Sequence, residues 1–464
     1  MESQSVHLLL LPWLAFGHLL PYLELSQSLA RKGYRISFIT TPRNIKRLPQ
    51  IPPALSSLVT FLDFPLPRIE HLPENAEATI DLPSDDLRPY LRQAFDDMAP
   101  KLSAFLEDPQ SSPPDFIIFD YAAYWVPSIA AKFSIPCAYF GLHTAAAFSF
   151  YGSTSVLMGD EGARSRPEDF TVLPPWIPFP STIVYRRHEA FELFKPGVVP
   201  DASGVSESYR FGKSIQGCAA ILVRSCFEFE REWIELLEKI YKKRVIPVGL
   251  LPPSAAPDEI PSQDRHEALK WLDEREQGSV VYVAFGTEVK LTVSQVWEIG
   301  LGLERSHLPF VWALRAGELS EGLLERMQGI ERGLLCLGWV PQIRILAHPA
   351  VGGFLTHGGW NSIVEGLAFG RGMVVLPMIF DQGLNARYLV EKGIAVEVER
   401  DEEDGSFTGE GIAESLRLVM VEAQGKTFLE ASRESSKVFG DEELSDSYVT
   451  DLVGTLRAVA TLEK

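Results

Sequence analysis

His357-Gly358-Gly359-Trp360-Asn361-Ser362 separates two segments of different pattern, the apolar run Val351 to Thr356 before it and a helical pattern resuming at Ile363 after it. The reading is a buried strand, a glycine turn and a helix start. Glycines let backbone amides approach a ligand closely, and Asn361 and Ser362 supply cap-type side chains beside the positive end of the helix dipole. Such a place suits a phosphate. The stretch from Trp339 to Gln382 adds an indole at Trp339 that could lie flat against a base, and a carboxylate at Glu365 that could accept from ribose hydroxyls. Asp381-Gln382 could hold the hydroxyls of a hexose. Arg344 and Arg371 are its only cations, so a diphosphate there would be met mainly by amides, the helix dipole and His357.

A second pair of residues lies far away in the sequence. His18 follows the apolar segment Val6 to Leu11, and Asp120 ends the apolar segment Phe116 to Phe119. Both fall where an open α/β sheet presents its ligand crevice, at the carboxyl ends of its strands. A neutral imidazole can take the proton of an attacking hydroxyl near pH 7, and a carboxylate on the other ring nitrogen fixes the tautomer. Position alone is equally served by a histidine capping a helix and a solvated loop acid. Trp13, Phe16, Tyr121, Tyr124, Trp125, Phe148, Phe150 and Tyr151 cluster near the same strand ends, most as core and several as lining of whatever cavity His18 faces. His143 and Thr144, after a strand ending at Leu142, are polar candidates there.

The elements that must position these groups repeat a strand–helix unit. Strands are expected at Val6–Leu11, Tyr34–Ile39, Val59–Phe64, Phe116–Phe119, Cys137–Leu142, Ala219–Arg224 and Val245–Leu250. Helical patterns lie at Tyr22–Lys32, Leu87–Leu106 and Glu228–Tyr241, with a turn over Pro12–Pro21. The Pro-rich span 159–201 is too long for an ordinary loop and is expected to cover the mouth of the cavity. Pro- and Ala-rich residues 251–266 form a linker. A second series then begins with Ser279–Phe285 and the turn Gly286-Thr287, where Thr287 is placed to bond phosphate. It continues at Phe310–Leu314, Gly333–Cys336, Val351–Thr356, Met373–Pro377 and Ile394–Val398. The expected fold is α/β, with two facing doubly wound parallel sheets, in domains 1–250 and 267–440 and a tail 441–464.

The stretch Trp339–Gln382 resembles the signature box of plant family-1 UDP-dependent glycosyltransferases, and Gly17-His18-x-x-Pro21 resembles that family's first turn. The resemblance implies a GT-B fold with Rossmann-like domains, in which His18 is the general base and Asp120 its orienting acid. It implies that Trp339 stacks on uracil, with the Val340 backbone and Gln342 near the base edge. His357, Asn361 and Ser362, with Gly359 in the same turn, meet the diphosphate. Glu365 holds the ribose, while Trp360, Asp381 and Gln382 contact the sugar. Gly358 stands where many members carry cysteine, and Arg371-Gly372 replaces Val-Pro; neither removes a ligand group. Pro12 to Pro21 and Thr41-Pro42-Arg43-Asn44-Ile45 are similar to the branch that extends sugar chains on flavonoid or terpenoid glycosides, so a sugar hydroxyl is the expected nucleophile and a free aglycone hydroxyl the alternative. Gln382 favours UDP-glucose without excluding UDP-rhamnose. The last helix, about Asp446–Ala460, is expected to cross back onto the first domain.

Composition narrows the partners. A formal charge of −19 and a pI near 5.0 exclude a nucleic-acid or anionic-membrane partner, because neither phosphate surface would meet a basic patch. Cys137, Cys218, Cys226 and Cys336 have neither disulfide nor metal spacing, no Asn-x-Ser/Thr sequon occurs, and no run reaches a membrane span. Val6–Phe16 reads as a first strand and not as a secretory leader. A monomeric cytoplasmic enzyme acting on a UDP-sugar and a small acceptor, with neither cofactor nor metal, is the expectation. Gly300-x-Gly302 and Gly409-x-Gly411 lack the third glycine of a dinucleotide fingerprint, and Gly212-Lys213-Ser214 and Gly425-Lys426-Thr427 lack the leading glycine of a P-loop. The competing reading from another class is a protein that binds UDP-sugar without turnover.

Overall fold

The first strand, His7–Leu11 (β1), is buried along its whole length, and its side chains alternate between two cores. Leu9 and Leu11 pack with Phe119 and Tyr139, whereas Leu8 and Leu10 pack on the opposite face with Phe38 and Phe140. A strand apolar on both faces needs helices on both, which is the condition for a parallel sheet inside an α/β layer. In this computed structural model, which describes residues 6–160, 164–253, 266–315 and 321–462, β1 is central in a seven-stranded sheet. The others are Arg35–Thr40 (β2), Val59–Asp63 (β3), Phe116–Phe119 (β4), Cys137–Gly141 (β5), Ala220–Val223 (β6) and Arg244–Pro247 (β7). Their order is β3-β2-β1-β4-β5-β6-β7, every pair parallel.

Val280–Ala284 (β8), Phe310–Leu314 (β9), Gly333–Leu337 (β10), Val351–Thr356 (β11), Gly372–Val375 (β12) and Ala395–Glu397 (β13) form a second parallel sheet in the order β10-β9-β8-β11-β12-β13. In each sheet the chain reverses its direction of winding once, between β1 and β4 and between β8 and β11. A crevice opens at such switch points, outside the carboxyl ends of the strands. His18 and Asp120 follow β1 and β4; Thr287 and His357 follow β8 and β11. The two topologies therefore bring both groups of candidate residues to crevices. Most of the linker, residues 254–265, lies outside the described residues.

Helices Glu442–Thr450 and Leu452–Leu462 occupy the tail. Val449, Leu452, Val453 and Leu456 join the core that holds Leu8 and Leu10, and Asp446 pairs with Lys32. The tail is two helices where one is expected. The N-terminal half also departs from expectation in three places. The helical stretch Leu87–Leu106 is two helices, Arg88–Asp96 and Ala99–Glu107, the second restarting with Pro100 in its first turn. The span 159–201 contains a helix, Arg187–Val198, despite Pro196 inside it. The helix expected from Tyr22 begins at Phe16, so His18 lies in its first turn and Pro21 lies within it.

Candidate active site

Pro21 has no N–H, so the carbonyl four residues earlier, that of Gly17, receives no helical hydrogen bond from it. That carbonyl instead accepts from Asn361 Nδ2 at 2.9 Å, across from the second half of the chain. Asn361 Oδ1 in turn accepts from Arg224 Nη1. The turn that carries His18 is thus tied directly to the glycine turn that carries His357.

The His18 ring is one-fifth exposed, and its Nδ1 lies 2.7 Å from Oδ2 of Asp120, a carboxylate that is 2% exposed. The same oxygen accepts from the Trp13 N–H at 3.2 Å, and Oδ1 accepts from the Tyr121 N–H at 2.7 Å. These bonds fix the carboxylate, which then fixes the ring. Burial alone would lower the His18 pKa, but the Asp120 charge and its hydrogen bond, with Glu288 and Asp381 further off, raise it above its ordinary value. Glu288 joins the halves here too: its Oε1 accepts from Thr79 Oγ1 at 2.7 Å and its Oε2 pairs with Arg88 at 2.9 Å.

His18 opens on a cavity of about 420 Å³ that both halves line. Among the sequence candidates its wall includes Trp13, Phe16, Tyr121 and His143 from the first half, and Thr287, Gln342, His357, Gly359, Trp360, Asn361, Ser362, Glu365, Asp381 and Gln382 from the second. Thr144 is not brought there. It is 1% exposed, caps the helix Ala145–Tyr151 by accepting from the Ala147 N–H, and donates to Asn385 across the domain boundary. A hydroxyl held by two partners has no hydrogen bond left to offer a ligand through its proton.

His357 is sandwiched between Gly286 and Gly359. A Cβ on either would lie 2.7 Å or 2.6 Å from the ring, and Gly286 also has φ +69°, so both positions need glycine. Burial holds the imidazole down to about 4, so at neutral pH it can offer an anion only a neutral hydrogen-bond donor and not a cation. Gly359 begins the helix Trp360–Ala368 with no side-chain cap, leaving the N–H groups of its first turn to an outside acceptor. Arg371 is spent elsewhere, donating to the carbonyls of Leu346 and Val351.

The remaining donor-side candidates divide by what already holds them. Glu365 Oε2 accepts from Gln342 Nε2 at 2.6 Å, and burial raises the Glu365 pKa above the usual carboxylate value. Gln382 Oε1 accepts from the N–H groups of Met378 and Ile379, both at 2.9 Å, which leaves its amide hydrogens as donors. Asp381 accepts from Asn385 at 2.9 Å. The Trp360 indole points into the boundary between the halves, donating to the Arg224 carbonyl at 2.8 Å and stacking on Phe229, so its N–H is already engaged. Trp339 stands off the cavity wall at 84% exposure with an open ring face, and Val340 beside it packs in the second-half core.

The cavity also takes residues that no sequence pattern marked. Phe211 lies on the helix Glu207–Gly217 and stacks on Tyr121 at 4.3 Å; Leu193 and Phe194 come from the helix Arg187–Val198; Arg88, Arg164, Glu288 and Phe380 also line the wall. The 159–201 span does more than cover a mouth. Arg186 pairs with Glu397 and Glu402, Arg187 with Glu403, and Glu189 with Arg387, so the span grips the second half while lining the cavity. The charged cluster Arg186-Arg187-His188-Glu189 is the local sequence feature that makes this grip.

Residues 261–436 match the family model described as UDP-glucoronosyl and UDP-glucosyl transferase. UDP-glycosyltransferase 91C1 of Arabidopsis thaliana is 47% identical over 98% of this chain and 98% of that protein. Soyasaponin III rhamnosyltransferase of Glycine max is 39% identical over 98% of this chain and 96% of its own. Among solved structures, Arabidopsis thaliana UGT89C1 complexed with UDP-L-rhamnose superposes with a TM-score of 0.72 at 25% identity, covering 98% of this chain and all of that one. With two parallel sheets of the GT-B type facing one cavity, and relatives this similar along nearly their whole length, the chain belongs to the plant family-1 UDP-glycosyltransferases.

Proposed function

We propose that the protein transfers a hexose from a UDP-sugar to a hydroxyl of a small plant metabolite in one inverting displacement, with His18 as general base and Asp120 as the group that orients it. The observation that carries this reading is the 2.7 Å contact between His18 Nδ1 and Asp120, made on the wall of the cavity that His357, Glu365 and Gln382 also line. With Nδ1–H donated to the carboxylate, Nε2 keeps its lone pair and takes the acceptor's proton as the oxygen attacks the anomeric carbon. The imidazolium that forms is stabilised by Asp120. The bond to the UDP oxygen breaks on the opposite face of the sugar, so the anomeric configuration inverts and no enzyme-bound sugar is formed.

On the donor side, the open Trp339 face takes the uracil with Val340 and Gln342 beside it, and Glu365 takes the ribose. Neutral His357, Thr287, Asn361, Ser362 and the first-turn amides after Gly359 take the diphosphate, and Asp381, Gln382 and the Trp360 main chain take the sugar. Glucose is the proposed sugar, with rhamnose the second reading because the Glycine max relative is named a rhamnosyltransferase. The same relative, named for a saponin acceptor, supports a sugar hydroxyl of a glycoside as the nucleophile.

His18→Ala tests the mechanism. Transfer should fall by about 10²- to 10⁴-fold while UDP binding, followed by calorimetry, stays within a few fold, because the base touches the acceptor and not the nucleotide. UDP binding without sugar transfer by the unaltered protein, across UDP-glucose and UDP-rhamnose with a panel of glycosides and aglycones, would instead establish the non-catalytic reading.

A further inference from the structure

Arg224 follows the strand Ala220–Val223 and is 4% exposed, yet it reaches the start of the helix Trp360–Ala368 twice. Its carbonyl accepts from Trp360 Nε1 at 2.8 Å, and its Nη1 donates to Asn361 Oδ1. The rest of the fork turns the other way: Nε donates to the Leu250 carbonyl at 2.7 Å and Nη2 to that of Leu251 at 3.2 Å. Leu251 sits at φ +50°, a left-handed conformation that leucine rarely takes, with its own N–H given to Ser445 Oγ at 3.1 Å. Burial pulls the Arg224 guanidinium down to about 10, so it is charged at neutral pH, and the charges of Glu365 and Glu24 support it. A buried cation with each of its nitrogens bonded to an oxygen is fixed in place.

An asparagine amide has nearly the same shape either way round, so its direction is decided by its partners. At Asn361 the partners are unequal. Oδ1 faces a cation, and Nδ2 donates to the Gly17 carbonyl at 2.9 Å. Turned over, the amide would set Oδ1 against that carbonyl oxygen and Nδ2 against the guanidinium. A charged donor on Oδ1 also polarises the amide, which strengthens the bond that Nδ2 makes. The Gly17 carbonyl belongs to the first turn of the helix that carries His18, where Pro21 has no N–H to give it. A chain of bonds therefore runs from the Leu250 and Leu251 carbonyls, through the fork and the amide, to the backbone beside His18.

Resting on the reading of His18 as the base, we propose that Arg224 is a positioning residue for the transfer: it sets the direction of the Asn361 amide and, through it, the placement of the turn that presents His18. Arg224 is not among the residues that line the cavity, so its loss reaches the reaction by way of Asn361.

The test is a double-mutant cycle of Arg224→Met and Asn361→Ala, with Arg224→Lys beside it. Arg224→Met should lower kcat on the order of tenfold in the unaltered background and less than about twofold in Asn361→Ala, while UDP affinity followed by calorimetry changes by less than about threefold on adding Arg224→Met. Arg224→Lys keeps the charge but not the fork, so it should retain more of kcat than Arg224→Met, and it carries the same cycle if the methionine variant does not fold. Equal losses in both backgrounds, or a loss that falls on UDP affinity, would mean that Arg224 only supports the fold of the boundary and would overturn the proposal. Hydrogen exchange needs no turnover. The His18 and Leu19 N–H groups, both bonded to the Ala15 carbonyl, should exchange faster in Arg224→Met and Asn361→Ala alike, with no further rise when the two are combined. Unchanged exchange there would end this proposal, and absence of transfer by the unaltered protein would end only the transferase reading.

Discussion

The pKa of His18 is set by an opposition between two effects of the same burial. Removal from water lowers its pKa, and the carboxylate that burial places against Nδ1 raises it by more. In the proposed mechanism His18 must be deprotonated to work, so a raised pKa puts the acid limb of the kcat/KM profile above pH 6.5, with activity climbing as pH rises through it. Asp120→Asn removes the raising charge and leaves the lowering one. The limb should therefore move to lower pH while the plateau falls by about 10²- to 10⁴-fold, because the amide no longer enforces the reactive tautomer. A pH profile of initial rates measures both, and a limb that stays in place would mean that another group titrates. The donor side follows the opposite logic. His357, closed in by Gly286 and Gly359, stays neutral, so the diphosphate of the proposed donor would be met by dipoles whose strength does not vary across the working pH range.

At the scale of elements, the first helix makes the most specific link between the halves. It starts five residues after β1 and runs straight through Pro21, which removes one of its own hydrogen bonds and leaves the Gly17 carbonyl for Asn361. Pro21→Ala restores an N–H that competes for that carbonyl. Thermal stability should be unchanged or higher, since proline is the poorer helix residue, while kcat should fall by about fivefold, the size of one hydrogen bond. Unchanged turnover would show that the Asn361 contact does not position the base. This helix also marks where sequence reading stops. Val351 to Ser362 is legible because a strand, a glycine turn and a helix start are local patterns, and Phe310–Leu314 and Phe116–Phe119 are legible because buried parallel strands are short apolar runs. The start at Phe16 is not, because Gly17 and Pro21 read locally as a turn and only the contact from Asn361, 344 residues away, makes the helical form complete. Phe211 and Arg164 are hidden for the same reason: only tertiary folding brings them to the cavity, Arg164 from the weakly patterned 159–201 span and Phe211 from the helix Glu207–Gly217 after it; Thr144 follows a strand end, which suggests the site, but its hydroxyl is needed as a cap.

For the molecule as a whole, the field and the site pull in different directions. The chain carries a formal charge of −19, and the cavity wall adds Glu288, Glu365 and Asp381, yet the proposed donor brings a diphosphate to it. Its cations do little to reverse this: Arg88 and Arg92 are paired with acids, Arg164 is packed among the rings of Phe150, Phe170 and Trp176, and His357 is neutral. Capture therefore depends on short-range hydrogen bonds and the end of one helix dipole, while the distant charges repel the ligand on approach. The two ranges respond differently to salt. Raising ionic strength from about 0.01 to 0.15 M shortens the screening length from about 30 to 8 Å, which removes the distant repulsion and leaves close hydrogen bonds nearly intact. The KM for UDP-glucose should accordingly fall with salt, on the order of twofold over that interval, where a site built on lysines or arginines would lose affinity. Initial rates at saturating acceptor across a sodium chloride series give the answer, and a KM that rises with salt would mean that an unneutralised cation, and not the helix terminus, meets the phosphates.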